Sequence, residues 1–130
     1  MRIHHIGYLV KNIDKAISSF QALGYKLTVP STWDEDRMAH ICFLKNEDYC
    51  VELICPSKES PLYSLLKQYS NAPYHICYKC ENLEAAIEEL KSEKFMLFKE
   101  PASAPVIGDT ARVAFLISAR IGMIELVEEK

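Results

Sequence analysis

The segment His5-Ile6-Gly7-Tyr8 returns as His75-Ile76-Cys77-Tyr78, 70 residues further along the chain. A second segment, Val51-Glu52-Leu53-Ile54, corresponds in the same way to Ile124-Glu125-Leu126-Val127. Each copy therefore begins with a histidine on an apolar segment and ends with a glutamate inside another. An internal repeat of this kind indicates a duplicated structural module, and the order of elements within one copy predicts the fold.

The first copy has the pattern of a β-α-β-β-β module. Alternating and β-branched apolar residues predict strands, whereas apolar residues at helical spacing predict the intervening helix. Asn12 or Asp14 can cap this helix, and Gly24 can end it. The predicted elements are a strand over 3–10, the helix, a strand over 25–29, a loop over 30–36, and a hairpin of strands over 38–44 and 49–55.

The second copy repeats this order, so the chain belongs to the α+β class. Its predicted elements are a strand over 74–80, a helix from Asn82 to about 94, a strand over 95–98, a loop over 100–109, and a hairpin over 112–118 and 122–128. We expect two tandem βαβββ modules that form a curved, cleft-containing mixed sheet. The expected organisation is one domain over 1–130, with a first module over 1–58, a connecting helix over 60–70 and a second module over 72–130.

Composition excludes several classes of partner. The 130 residues carry a net charge of −3, which gives no electrostatic reason to expect binding to nucleic acid or to an anionic membrane surface. The apolar runs have the length of strands, so no transmembrane helix is expected. The five cysteines are an odd number without a secreted framework. We therefore expect reduced thiols and a cytoplasmic location.

The repeated histidines and glutamates predict a metal site. Glu52 and Glu125 each stand among apolar neighbours, and burying an ionised carboxylate is costly unless it is paired or bound to a metal. The same pattern in two copies, each matched to a histidine, predicts His5, Glu52, His75 and Glu125 as ligands. Two imidazoles and two carboxylates suit one divalent transition metal, with Co, Mn, Ni, Zn or Fe as candidates.

Four protein ligands in an octahedral field leave two adjacent positions for oxygen atoms of a substrate. A metal that binds a carbonyl oxygen acidifies the neighbouring carbon, so the predicted chemistry is proton abstraction α to a carbonyl.

The four ligand positions resemble the pattern of the vicinal oxygen chelate superfamily, also called the glyoxalase/bleomycin resistance superfamily. Within it, the segment from Glu52 to Leu62, the segment Pro73-Tyr74-His75-Ile76 and the segment from Ala111 to Leu116 are similar to the methylmalonyl-CoA epimerase family. This resemblance implies a metal-dependent isomerase that acts on an acyl-CoA or on another thioester or thiol adduct. It also implies a homodimer, in which the modules pair within one chain or swap between subunits.

An epimerase of this kind needs an acid/base group on each face of the planar intermediate. Glu125 is the candidate for one face. His40, which corresponds to Arg112 in the repeat, is the candidate for the other face.

Three other activities stay open. A lyase like glyoxalase I usually carries two glutathione contacts at the positions that Leu9 and Pro56 occupy here. An extradiol-type dioxygenase needs only two histidines and one carboxylate, and Glu52 fills the additional position. A metal-free small-molecule binder of the resistance type has typically lost the ligands, and here all four are present.

Overall fold

The computed structural model describes all 130 residues and contains eight strands and three helices. In chain order the elements are β1 (Arg2–Leu9), α1 (Ile13–Ala22), β2 (Lys26–Asp34), β3 (Ala39–Asn46), β4 (Tyr49–Pro56), α2 (Tyr63–Tyr69), β5 (Ala72–Lys79), α3 (Leu83–Ser92), β6 (Met96–Ser103), β7 (Arg112–Ser118) and β8 (Gly122–Glu128). This order is β-α-β-β-β twice, with α2 between the two copies. The predicted α+β class and the two βαβββ modules are thus confirmed. No helix combines the length and the apolar character that a membrane span requires.

The chain divides into two compact units, which we call the N-terminal unit (residues 5–74) and the C-terminal unit (residues 1–4 and 75–130). In the N-terminal unit, the strand order is β2-β3-β4-β1. The β1/β4 pair is parallel, whereas β2/β3 and β3/β4 are antiparallel. In the C-terminal unit, the order β5-β8-β7-β6 repeats this arrangement, with β5/β8 as the parallel pair. The expected single domain over 1–130 stays a prediction.

One helix covers one face of the sheet in each unit. In the N-terminal unit, α1 packs on a buried cluster that includes Cys42, Leu44 and Leu53. In the C-terminal unit, α3 packs on the equivalent cluster around Leu116 and Leu126. Burying a leucine side chain contributes about 1.5–3 kcal/mol to stability, so these faces hold each helix to its sheet. Because side chains alternate along a strand, the intervening residues face the other side of each sheet.

The caps of α1 and α3 follow the sequence prediction. The side chain of Asn12 accepts a hydrogen bond from the Lys15 amide at 3.0 Å, and Asn82 caps α3 through the Ala85 amide at 2.9 Å. Gly24 follows the end of α1 with a φ of +100°, a conformation that favours glycine. The connecting helix α2 begins at Tyr63, later than the predicted start at Ser60.

Two segments predicted as loops are partly strand. β2 continues to Asp34 through Pro30, and β6 continues to Ser103 through Pro101. In both strands the register with the neighbouring strand shifts at the proline, between Val29 and Thr32 and between Lys99 and Ala102. Both are end strands within their units, where an irregular register tolerates the missing amide of proline. The predicted loops over 30–36 and 100–109 were therefore wrong in their first residues.

Candidate functional site

His5 and Glu52 form a fully buried pair in the N-terminal unit. They lie on the adjacent parallel strands β1 and β4, where Gly7 is the register partner of Glu52. His5 Nε2 is 3.3 Å from Glu52 Oε1, and both side chains are 0% exposed. The His5 ring meets Phe43 edge to face, with ring centroids 5.4 Å apart. Strand pairing and the aromatic contact therefore fix the direction of the imidazole.

His75 and Glu125 form the equivalent pair in the C-terminal unit. Cys77 is the register partner of Glu125, as Gly7 is of Glu52. His75 Nε2 is 3.1 Å from Glu125 Oε1, and both side chains are 0% exposed. The His75 ring meets Phe115 edge to face at 5.3 Å. The repeat in the sequence is therefore a repeat of geometry, down to the aromatic ring that supports each histidine.

The donor atoms of each pair fit a divalent transition metal. Each pair presents one imidazole nitrogen and one carboxylate oxygen close enough for both to contact the same ion. Imidazole and carboxylate ligands suit the first-row metals named above. Both carboxylates are fully buried, and a buried carboxylate is costly without a cation or hydrogen-bond donors. His5, Glu52, His75 and Glu125 are all buried and all offer ligand atoms, and their roles as ligands stay a prediction.

A buried arginine lies on the far side of Glu52 from His5. Arg37 Nη1 donates to Glu52 Oε2 at 3.4 Å, and Arg37 Nε is 3.3 Å from Asp34 Oδ2. The side chains of Arg37 and Asp34 are each 8% exposed, so this is an internal ion pair. Sequence reasoning missed Arg37, because it follows Asp34-Glu35-Asp36 in a segment with the composition of an exposed turn.

His40 does not lie with Glu52. On β3, Phe43 is the register partner of Glu52, and His40 is the partner of Cys55. His40 therefore shares its face of the sheet with Cys42, which packs towards α1. Its side chain is exposed and contacts the Trp33 ring, with centroids 5.1 Å apart. This placement gives no support to His40 as the second acid/base group.

The fold agrees with the comparison to known proteins. Residues 4–115 match the family model for the glyoxalase/bleomycin resistance protein/dioxygenase superfamily. The chain belongs to this superfamily. That assignment confirms the resemblance seen in the ligand pattern.

One curated relative is the mitochondrial methylmalonyl-CoA epimerase of Bos taurus. It is 25% identical over 104 residues, which cover 78% of this chain. The matched segment spans only 59% of the bovine protein. At this identity the likeness supports the superfamily and leaves the specific activity open.

Solved structures resemble the chain over almost its whole length. A hypothetical protein, BH1468 from Bacillus halodurans, is 28% identical with a TM-score of 0.87, over 99% of this chain and 94% of the other. Methylmalonyl-CoA epimerase from Mycobacterium tuberculosis is 24% identical with a TM-score of 0.84, over 99% and 88%. The Streptomyces coelicolor epimerase, in complex with 2-nitronate-propionyl-CoA, is 19% identical with a TM-score of 0.84, over 99% and 94%. The two epimerases show a shared fold.

Proposed function

We propose that the chain is a divalent-metal-dependent isomerase that removes a proton α to a carbonyl group. The observation that carries this proposal is the duplicated, fully buried pair of one histidine and one glutamate. In this proposal, His5, Glu52, His75 and Glu125 together hold one metal ion. Each pair alone supplies two ligands, whereas protein sites for transition metals usually take three or four protein ligands.

The charges of the four groups support this ligand set. Two neutral imidazoles and two carboxylates bring a charge of −2, which a divalent cation neutralises. When bound, such a cation acts as a Lewis acid on a carbonyl oxygen and makes the neighbouring carbon more acidic. Both glutamate side chains are fully buried, and a low dielectric strengthens the attraction between carboxylate and cation.

Glu125 is the group that we propose as the base. A carboxylate oxygen of Glu125 would accept the α-proton of the substrate and return it in the reverse step. Glu125 is chosen over Glu52 because the second oxygen of Glu52 already accepts a hydrogen bond from the guanidinium of Arg37. Glu52 therefore acts as a fixed ligand and Glu125 as the group that handles the proton.

The proposed substrate is a 2-acyl thioester of coenzyme A. Support comes from the bovine relative, which is named as a methylmalonyl-CoA epimerase, and from the structural neighbours of the same name. A homodimer in the cytoplasm is part of the same proposal.

Exchange of the α-proton in heavy water tests the proposed function. The protein, loaded with Co²⁺ or Mn²⁺, is incubated with methylmalonyl-CoA in D₂O, and deuterium at the α-carbon is followed by NMR or mass spectrometry. We expect exchange above the rate without enzyme, and loss of that exchange in Glu125→Gln, which keeps an oxygen ligand but removes the base. Glu88→Gln, on the exposed face of α3, is the matched control. A metal-loaded wild type that exchanges no faster than buffer refutes the proposed reaction.

A further inference from the structure

The two oxygens of Glu52 have different neighbours. Oε1 lies 3.3 Å from His5 Nε2, whereas Oε2 accepts a hydrogen bond from Arg37 Nη1 at 3.4 Å. The carboxylate is therefore held between an imidazole and a guanidinium, with one oxygen turned to each. A carboxylate held in this way can offer one oxygen to a metal, because the other is engaged by the cation of Arg37.

Arg37 is itself held from several sides. Its guanidinium contacts Asp34 Oδ2, and its backbone amide donates to Asp34 Oδ1 at 3.0 Å. Its backbone carbonyl accepts a hydrogen bond from Ser60 Oγ at 2.6 Å. Met38, the next residue, has a φ of +51°, which is uncommon for a residue with a side chain. These contacts fix the loop between β2 and β3 to the segment after β4.

The C-terminal unit has no arginine at the position equivalent to Arg37. The repeat register that aligns Ala39 with Ala111 places Asp109 at the position of Arg37. An aspartate cannot supply a cation to a glutamate. The two units therefore differ in charge at this position, although the histidines of the two pairs and their aromatic neighbours are equivalent.

We propose that Arg37 is a positioning residue, anchored by Asp34, that holds Glu52 as a one-oxygen metal ligand. The inference rests on the proposed function, in which Glu52 binds the metal. Groups that orient a metal ligand from behind typically change metal affinity by about 10–100-fold when they are removed. Arg37 does not touch the substrate in this proposal. Arg37 affects metal binding because it fixes the orientation of Glu52 and leaves one oxygen of that carboxylate for the metal.

The direction in which metal affinity changes when Arg37 is removed distinguishes a positioning role from a purely electrostatic one. Arg37 brings a positive charge close to a cation site, so an arginine that acts only through its charge weakens metal binding. Removing it would then tighten binding. An arginine that acts by orienting Glu52 strengthens binding, and removing it weakens binding. The two roles thus predict opposite changes in metal affinity.

The test measures Co²⁺ affinity by competition with a chelating dye, and records the visible absorption of bound Co²⁺, which reports coordination number and geometry. The variants are Arg37→Met, Arg37→Lys and Asp34→Asn, with Arg112→Met as the matched control. Arg112 pairs with Glu84 on the surface of the C-terminal unit and contacts neither histidine–glutamate pair. Thermal unfolding of each metal-free variant shows whether it folds.

We expect Arg37→Met to bind Co²⁺ about 10–100-fold more weakly with a changed spectrum. Asp34→Asn should change affinity in the same direction by a smaller factor, Arg37→Lys should lie between wild type and Arg37→Met, and Arg112→Met should match wild type. Unchanged or tighter binding by folded Arg37→Met overturns the inference. Loss of binding in Glu52→Ala, together with unchanged binding in Arg37→Met, would overturn the role of Arg37 alone. Wild-type binding by Glu52→Ala would overturn both the ligand set and this inference.

Discussion

Metal-linked stability distinguishes one shared metal from two separate ones. The perturbation is loss of one carboxylate from either unit, in Glu52→Ala or Glu125→Ala, with Glu88→Ala as the control on the surface of α3. If the two pairs bind one ion together, each of the first two variants loses a ligand of that same ion. If each pair bound its own ion, each variant would keep one intact site. The stoichiometry of wild type and the response of the variants therefore answer the same question independently.

The expected rise in melting temperature follows from the linkage between metal binding and folding. A ligand at 100 times its dissociation constant stabilises the folded state by about 2.7 kcal/mol. Unfolding entropy is about 2.1 cal/mol/K per residue, and the chain has 130 residues. The melting temperature of wild type should therefore rise by about 10 °C when that concentration of metal is added. A variant that binds about 100-fold more weakly should gain about 0.4 kcal/mol, or about 1.5 °C, at the same concentration.

The assay is differential scanning calorimetry with and without Co²⁺, combined with elemental analysis of the loaded proteins. Each shift is measured against the same variant without metal, because Glu52→Ala and Glu125→Ala also leave a cavity in a buried position. We expect one metal per chain in wild type and in Glu88→Ala, and small shifts in both Glu52→Ala and Glu125→Ala. Two metals per chain in wild type, with one retained in each variant, would refute a shared site. So would a full shift in either variant.

Three further predictions concern the fold. Burial raises the pKa of Cys42 to about 12 from the usual 9.0, so its thiol should resist alkylation at pH 8 until the protein unfolds, as mass spectrometry can show. The unfolded chain loses this proton at a lower pH than the folded chain does. Stability should therefore fall as pH rises from 9 towards 12, and urea titrations should show a smaller fall in Cys42→Val. Asn82→Ala removes the cap of α3 and should cost about 1 kcal/mol, seen as a melting temperature lower by about 4 °C. Gly24→Ala should cost about 1–2 kcal/mol, because the φ of Gly24 is +100° and an added Cβ lies 3.3 Å from Nδ2 of the Asn46 side chain. Gly108→Ala, where an added Cβ meets only Glu129 at 3.5 Å, should melt close to wild type.

Both histidine–glutamate pairs could be predicted from the sequence for one physical reason. A β-strand with an acidic residue among apolar neighbours is costly to bury, and the duplication shows the same exception twice, at Glu52 and at Glu125. Each histidine lies at the matching place on the first strand of its module. Patterns that occur twice carry more information than either copy alone, and they predicted which residues pair within each unit.

Other features depend on loop packing and on the register between strands, which a single sequence does not show. The acidic residues before Arg37 predict an exposed turn. The fold of the β2–β3 loop instead buries Arg37 beside Glu52. The prolines at 30 and 101 predicted loops, yet both strands continue past them because end strands tolerate shifted registers. For His40, alternation correctly placed it with Cys42. Which of the two faces carries Glu52 depends on the register between β3 and β4, and that register follows from the hairpin.

The position of His40 bears on which reaction step the residues can perform. Removing an α-proton requires one base, whereas inverting the carbon requires a second proton donor on the opposite face. On β3 the register partners of Glu52 and Ile54 are Phe43 and Ile41, and neither side chain can transfer a proton. Glu52 itself is engaged by Arg37. In the proposed function, the N-terminal pair therefore holds the metal and Glu125 transfers the proton. Exchange of the α-proton is the step that this division of roles supports, so the exchange rate is a more direct measure of the proposed chemistry than the rate of inversion.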